Sequence, residues 1–468
     1  MMSSLLLASL LSGVTAAAPA APAAARCSDC NVLWIVLDTT RADHVGCFGG
    51  DPKTAPNVDK VCAGGLSFQN NYAQAPATML SVASYFSGRY RNSTGIDFML
   101  WEDEGFHAMS DEITTLAEAL KGNGFRTVGV SANPMITSRV TQKRSNFDLN
   151  YYQGFESFDH WNDGRIAADA PKTLASLKDE RFFFYVHAMG PHHPNKKRPG
   201  FEKRQGGGWS PGLFDAEGKT DYTAINKGEL AVSEEQGNYL RALYDDDIWW
   251  ADDTIVGPLL AKLEALGLKD KTLVVISSDH GEALGEPHEL GQGSKGGHSP
   301  YWGHSHASLV AETLHVPLVF RGPGIPKGKR VTDSLSENVD VAPTVVDYLG
   351  LKQDPAWGWD GAPLFGPAGV AGTSAISDRG SMKGQRSSAR DLNVAVEIRP
   401  AWHMRMFYFD QSDFGIRKDT AKTPAHARLE DVLLTYYNTI HPPGAVQTMA
   451  GPEGELLDEL KALGYMGE

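Results

Sequence analysis

The sequence predicts an α/β protein: a central, mostly parallel (mixed) sheet flanked by helices, with a smaller α+β subdomain towards the C-terminal end. Three observations predict it. Short apolar runs alternate with helical segments along the chain. Three of these runs deliver Asp or His at their C-terminal ends. The 468 residues, 41% of them hydrophobic, are enough for a large core.

Asn31 to Leu37 (NVLWIVL) is a nearly continuous apolar run, the pattern of a strand buried on both faces, and Asp38 follows it. Asp111 to Leu120 reads as an amphipathic helix, followed by the strand-like Phe125 to Ser131. Arg181 to His187 (RFFFYVH) is a second buried strand. Tyr239 to Leu266 reads as a helix with a break near Gly257-Pro258. Lys271 to Ser278 (KTLVVISS) is a third strand, leading into Asp279-His280-Gly281-Glu282, and His315 to Phe320 is a fourth. Residues 193–235 are rich in Gly, Lys and Pro and read as an insertion or lid loop. Residues 352–395 read as a linker, Asn393 to Asp410 as strand, and Glu453 to Leu463 as a closing helix. The domain reading is a catalytic unit over 31–350, then a linker and C-terminal subdomain over 351–468.

The formal charge of −14 argues against nucleic acid or an anionic membrane surface as the main partner. The first 25 residues carry no Lys, Arg, Asp or Glu and contain an apolar stretch from Leu5 to Val14. Residues 1–26 therefore read as a secretory signal peptide, placing the protein in a periplasmic or secreted setting, and no other stretch approaches a membrane span. Four cysteines, at 27, 30, 47 and 62, allow up to two disulfides in three pairings. Cys27 and Cys30 precede a strand and have no second pair at zinc-finger spacing. A local disulfide or free thiols fits them better than zinc or a redox centre.

Open α/β sheets place their chemistry at the carboxyl edge of the strands. A single acidic residue there is ordinarily a cap or a solvated turn. Asp38, Asp279 and His280 together suit one divalent cation such as Ca, Mg, Mn or Zn. His187, His192, His304 and His306 are candidates for holding a transferred group or protonating a leaving oxygen. Lys295, in the Gly-rich QGSKGGH loop, could reach an anion, and Lys196-Lys197-Arg198 beside His192 could steer one.

The stretch NVLWIVLDTTRADHVGCFGG…TAPNVDKVCAGGLSFQNNYAQAP resembles the opening of sulfatases, members of the alkaline-phosphatase superfamily. TLVVISSDHGEALGE…ETLHVPLVFRGPG resembles their second metal segment. FRTVGVSANP, HAMGPHHP and NVDVAPTVVDYL also match, in order, so the resemblance runs from about residue 31 to 350. It implies an alkaline-phosphatase/sulfatase-like sheet and metal-dependent hydrolysis of sulfuric or phosphoric esters. Sulfatases present C-x-P-S-R, whose cysteine becomes formylglycine. Here Thr78 stands at that cysteine, Leu80 at the proline and Val82 at the arginine, so no formylglycine can form.

The pattern is similar to the Thr-nucleophile members of the superfamily. It implies one metal held by Asp38, Thr78, Asp279 and His280, with Thr78 as nucleophile. It also implies His192 and His306 on the substrate side as catalytic groups; His187, His304 and Lys295, read from the residues themselves, are expected as substrate contacts. Phosphorus suits threonine better than sulfur, because a threonyl phosphate can be resolved by attack at phosphorus. The expected substrate is a small-molecule, glycan or lipid-headgroup ester. The rival readings are a phosphotransferase on an envelope lipid or glycan, and a non-catalytic binding protein.

Overall fold

The computed structural model describes residues 22–96, 106–136, 148–205, 222–226, 228–286, 301–303, 309–366, 369–378, 387–399, 405–410, 420–439, 447–449 and 457–458. Most of the predicted signal peptide and most of the predicted closing helix lie outside them.

The large sheet takes strands β1 (Asn31–Leu37), β2 (Leu66–Phe68), β3 (Arg126–Ser131), β4 (Ser157–His160), β5 (Phe182–Ala188), β6 (Thr272–Ser277), β7 (Leu318–Arg321) and β8 (Lys329–Val331). Their order across the sheet is β8-β2-β7-β6-β1-β5-β3-β4. From β6 to β4 every pairing is parallel; β7 runs antiparallel to both β6 and β2. Every residue of β1, β5 and β6 is buried, which explains why these strands read as unbroken apolar runs.

Helices cover the sheet in two sets. One contains α1 (Pro56–Ala63), α4 (Asp163–Ser176) and α6 (Gly257–Ala265); the other contains α2 (Thr78–Ser87), α3 (Leu116–Lys121) and α7 (Val341–Tyr348). Trp34 of β1 packs against Tyr85 and Phe86 of α2 and Tyr185 of β5, and its indole N–H donates to Ser277 Oγ at 2.9 Å. Helix α2 is buried along its whole length, so its position relative to β1 is set by packing on every side.

The smaller unit is an antiparallel meander of β9 (Ala375–Asp378), β10 (Ser387–Arg390), β11 (Val394–Arg399) and β12 (Arg405–Asp410), with α8 (Pro424–Thr439) packed on it. Its core joins Ile376, Val396 and Ile398 to Leu429 and Leu433, and takes in Tyr90 and Val339 from the larger unit.

Four sequence expectations change. The stretch read as a linker contains β9 and β10, whose Ser- and Ala-rich sequence carries little alternation because all eight residues are buried. The strand read over Asn393 to Asp410 is a hairpin, β11 and β12. The helix expected from Asp111 begins at Leu116, because Thr115 forms a reciprocal capping box with Glu118. The long helix starts earlier, at Ser233, as α5 (Glu234–Ala251). A π-helical turn over Asp252–Val256 then separates it from α6, just ahead of Gly257-Pro258.

The two units meet at a buried carboxylate pair. Glu337 accepts hydrogen bonds from Ile376 N–H of β9, Gln74 Nε2 and Tyr90 O–H, while Asp340 accepts from Glu337 N–H and Ala362 N–H. Burial, with Asp340's charge adding to it, pushes Glu337 from 4.5 up to about 8; burial pushes Asp340 up to about 7. The folded state therefore holds protons that the unfolded chain releases, and stability declines as pH rises from about 4.5 through about 8. Glu337→Gln is expected to flatten that decline in a series of thermal melts; an unchanged pH slope would remove Glu337 as its source.

Candidate metal and nucleophile centre

Asp38 leaves the carboxyl end of β1, His187 sits near the end of β5 and Asp279 follows β6, so three adjacent parallel strands converge on one point. All three side chains are fully buried, and one ligand atom from each lies within 4.8 Å of the others.

The chain after Asp38 turns through Thr39, a β-branched residue at φ 54°. That conformation costs about 1–3 kcal/mol. It is held by Thr39 N–H donating to Asp279 Oδ1 (3.2 Å), Thr40 N–H to Ser278 Oγ (2.8 Å) and Tyr244 O–H to Thr39 O (2.6 Å). The turns after β1 and β6 thus brace each other. Gly281 completes the second turn: a Cβ there would sit 2.0 Å from Glu312 O, so no larger residue fits.

Asp38 Oδ2 accepts from Asn133 Nδ2 (2.8 Å) and from His187 Nε2 (2.8 Å). With Nε2 protonated, His187 Nδ1 accepts from Tyr185 O–H (2.8 Å), and Tyr185 in turn pairs with Tyr85 O–H. This chain of donors orients Asp38 and leaves its other oxygen, Oδ1, buried without a hydrogen-bond partner; Asp279 Oδ2 is in the same position. Burial alone would raise both carboxyls. Asp38 is nevertheless driven far below its ordinary value by His187 and the neighbouring imidazoles, while Asp279 is raised by burial and by Asp38's charge. Two adjacent buried carboxylates cannot both ionise cheaply without a cation between them. The residues therefore fit a hard or borderline divalent ion, with Asp38 Oδ1 and Asp279 Oδ2 as its anionic ligands.

Thr78 opens helix α2, whose first-turn N–H groups and dipole favour negative charge on its hydroxyl oxygen. Its Oγ is 3.2 Å from His280 Nε2 and 3.4 Å from Asn133 Nδ2. His280 Nδ1–H donates to Gly281 O at 2.8 Å, so in the neutral ring it is Nε2 that carries the lone pair and faces Thr78. Against burial, the charges of Asp279 and Asp38 hold the His280 imidazole above its ordinary value.

His192 and His193 stack with ring centroids 4.7 Å apart, and His193 Nδ1 pairs with Glu282 Oε2 at 3.3 Å. Burial, with His193 beside it, lowers His192 to about 4, so it is neutral at physiological pH. The loop carrying both histidines is pinned to α5. Asp247 accepts from Lys196 N–H (2.9 Å), Asn195 Nδ2 (3.2 Å) and Arg198 Nε (2.5 Å), and Asp246 takes Arg204. Arg198 and Arg204 also lie over Trp250 and Trp249. The basic cluster read from the sequence as a possible steering patch is thus partly engaged internally: Arg198 is bound to Asp247 and Lys197 pairs with Glu202.

The structure brings Asp38, Thr78, His187, Asp279 and His280 together, with His192 stacked on His193 in the following loop. His304, His306 and Lys295 lie outside the described residues. Sequence reasoning passed over Asn133, Tyr185 and His193. Asn133 stood in the FRTVGVSANP match, but nothing marked which of its side chains pointed inward.

Residues 30–351 match the Sulfatase family. The chain is 33% identical to the multifunctional alkaline phosphatase superfamily protein PehA of Trinickia caryophylli, over 68% of this chain and 74% of that protein. It is 28% identical to the low-salt glycan biosynthesis sulfotransferase Agl7 of Haloferax volcanii and 26% identical to the ulvan-active sulfatase of Formosa agariphila, over 69% of this chain in each case. It spans only 61% and 62% of those two relatives. Among solved structures, a phosphonate monoester hydrolase from Silicibacter pomeroyi superposes with a TM-score of 0.65 at 18% identity, covering 90% of this chain and 99% of that one. A 2-O GAG sulfatase gives 0.62 at 18% identity, covering 88% and 92%. At that identity the likeness is one of fold.

Two outcomes are expected. Asn133→Ala should weaken divalent-cation affinity about 10- to 100-fold with an unchanged far-UV spectrum; parent-like affinity in competition with a fluorescent chelator would show that Asn133 does not orient Asp38. Asp247→Ala should cost about 3 kcal/mol and open the Lys196–Arg198 segment to trypsin; resistance equal to the parent's would show the loop is held elsewhere.

Proposed function

Because this chain belongs to the sulfatase family, we propose that it is a metal-dependent hydrolase of sulfuric or phosphoric esters in which Thr78 is the nucleophile and phosphoesters are preferred. The observation that carries the reading is the placement of Thr78 Oγ at the start of buried helix α2, 3.2 Å from His280 Nε2 and beside the Asp38–Asp279 pair. Likeness to a sulfotransferase and to a multifunctional superfamily member supports transfer chemistry at this centre without choosing between sulfur and phosphorus.

Asp38, Thr78, Asp279 and His280 would hold one divalent cation, Ca, Mg, Mn or Zn. Bound there, it supplies Lewis-acid polarisation of the ester and a lower hydroxyl pKa. Thr78 gives its hydroxyl proton to solvent, and its Oγ forms a bond to phosphorus as the bond to the leaving oxygen breaks. That oxygen takes a proton from His306 on the substrate side, while His192, kept neutral by burial, is assigned to holding the transferred group. Water then attacks the threonyl phosphate, the bond to Oγ breaks, and Thr78 regains its proton. His187 is assigned to orienting Asp38, because both of its ring nitrogens are engaged away from substrate. His304 and Lys295 are proposed as substrate contacts.

The ulvan-active relative and a solved likeness bound to D-glucosamine-2-N,6-O-disulfate point to a glycan as the body of the ester, while Thr78 directs the ester group itself towards phosphorus. An acceptor alcohol in place of water would make the protein a transferase. Among the described residues no helix is long and apolar enough to cross a membrane. Disulfides Cys27–Cys30 and Cys47–Cys62 suit the oxidising, extracytoplasmic setting that we propose.

With metal-loaded protein, turnover of p-nitrophenyl phosphate or bis-p-nitrophenyl phosphate is expected to exceed that of p-nitrophenyl sulfate. Thr78→Ala should lose about 10³-fold or more in kcat, the scale set by losing a covalent nucleophile. Full activity in that variant would refute the covalent step, and faster sulfate turnover would refute the phosphoester preference.

A further inference from the structure

A cavity lies at the sheet edge opposite the reaction centre. A groove of about 640 Å³ lies between α1, α6 and the turn after β7. Asp270 lines it ahead of β6, whereas Asp279 follows that strand. At about 3.3 Å per residue, strand β6 separates the two places by roughly 20 Å.

Lys60, Lys269, Arg321 and Lys327 line the groove against only Glu264 and Asp270. On a chain of net charge −14 this cationic excess is local and needs an account. Two of the cations are engaged: Lys60 donates to Asn57 Oδ1 at 2.9 Å, and Lys269 pairs with Glu264 at 3.0 Å. Arg321 is different. Its stem passes over Gly64, where a Cβ would lie 3.3 Å from Arg321 Cδ. Its Nη2 is buried without a hydrogen-bond partner, and among the described residues no carboxylate closes an ion pair with it. Burial lowers its pKa, and the more distant Asp270 and Glu264 offset that only in part. A guanidinium does not escape by losing its proton, so the charge that Arg321 brings to the groove is met only in part by the chain's own carboxylates. Lys327 stands exposed at the same groove.

The volume lies in the range of small-molecule sites and exceeds what a bare oxyanion fills. Leu260 and Ile325 give the groove an apolar wall. We propose that this groove binds a small organic oxyanion: a sulfate or phosphate ester whose charged group meets Arg321 and Lys327 while its sugar-sized body lies along the Leu260–Ile325 wall. The site is independent of the chemistry at Thr78.

Isothermal titration of the chain carrying Thr78→Ala and stripped with EDTA separates it from the reaction centre. Glucose 6-sulfate and glucose 6-phosphate are expected to bind at one site, at least ten-fold more tightly than inorganic sulfate. Arg321→Gln should weaken them about 10- to 100-fold, the worth of a charge-assisted contact. Lys327→Gln, at an exposed position where folding is unaffected, should weaken them about three-fold and reduce the salt dependence. If Arg321→Gln does not fold, the Lys327 variant decides. No binding of either ester, or undiminished affinity in the folded variants, overturns the site; inorganic sulfate binding as tightly as the esters overturns the sugar-sized ligand.

Discussion

The rest of the centre depends on the burial of two like charges side by side. Asp38 and Asp279 are held at the ends of adjacent parallel strands, out of contact with water. Such a pair is expensive unless each carboxylate is hydrogen-bonded and a cation compensates the remainder. Much of the surrounding architecture answers that cost. His187 and Asn133 take one oxygen of Asp38, Thr39 and His280 N–H groups take one oxygen of Asp279, and one oxygen of each is left over. The strained turn at Thr39 persists because these bonds over-determine it.

A second layer of buried acids organises the histidine loop. Asp163 Oδ1 accepts from Met189 N–H, while Asp246 and Asp247 bind the following segment through two arginines, a backbone N–H and Asn195. The acidic run in α5 is therefore more than a solvated helix face: two of its carboxylates point inward and fasten the element that carries His192 and His193. This gives a loop of irregular backbone the rigidity that a reaction centre needs.

The buried strands were legible because a strand covered on both faces leaves an uninterrupted apolar run, and β1, β5 and β6 each show one. The acidic ends of β1 and β6 were legible for the same reason: a charged residue directly after such a run must lie at the sheet edge. The partners of Asp38 were not. Asn133 and His187 lie 95 and 149 residues away in sequence, and an Asn or a strand His carries no local sign of which carboxylate it meets. The small sheet was hidden in part because β9 and β10 are short and rich in Ser and Ala, with neither period nor hydrophobicity to mark them.

By itself the sequence determined the α/β class and the carboxyl-edge position of the acidic residues. These follow from local pattern and residue chemistry, which survive without coordinates. Tertiary structure alone decided that His187 orients Asp38, that Arg198 is bound by Asp247, and that Arg321 is left with a buried unmet donor. Each of these depends on which side chains meet across distant strands and helices, and such meetings are fixed by packing rather than by neighbourhood in the chain.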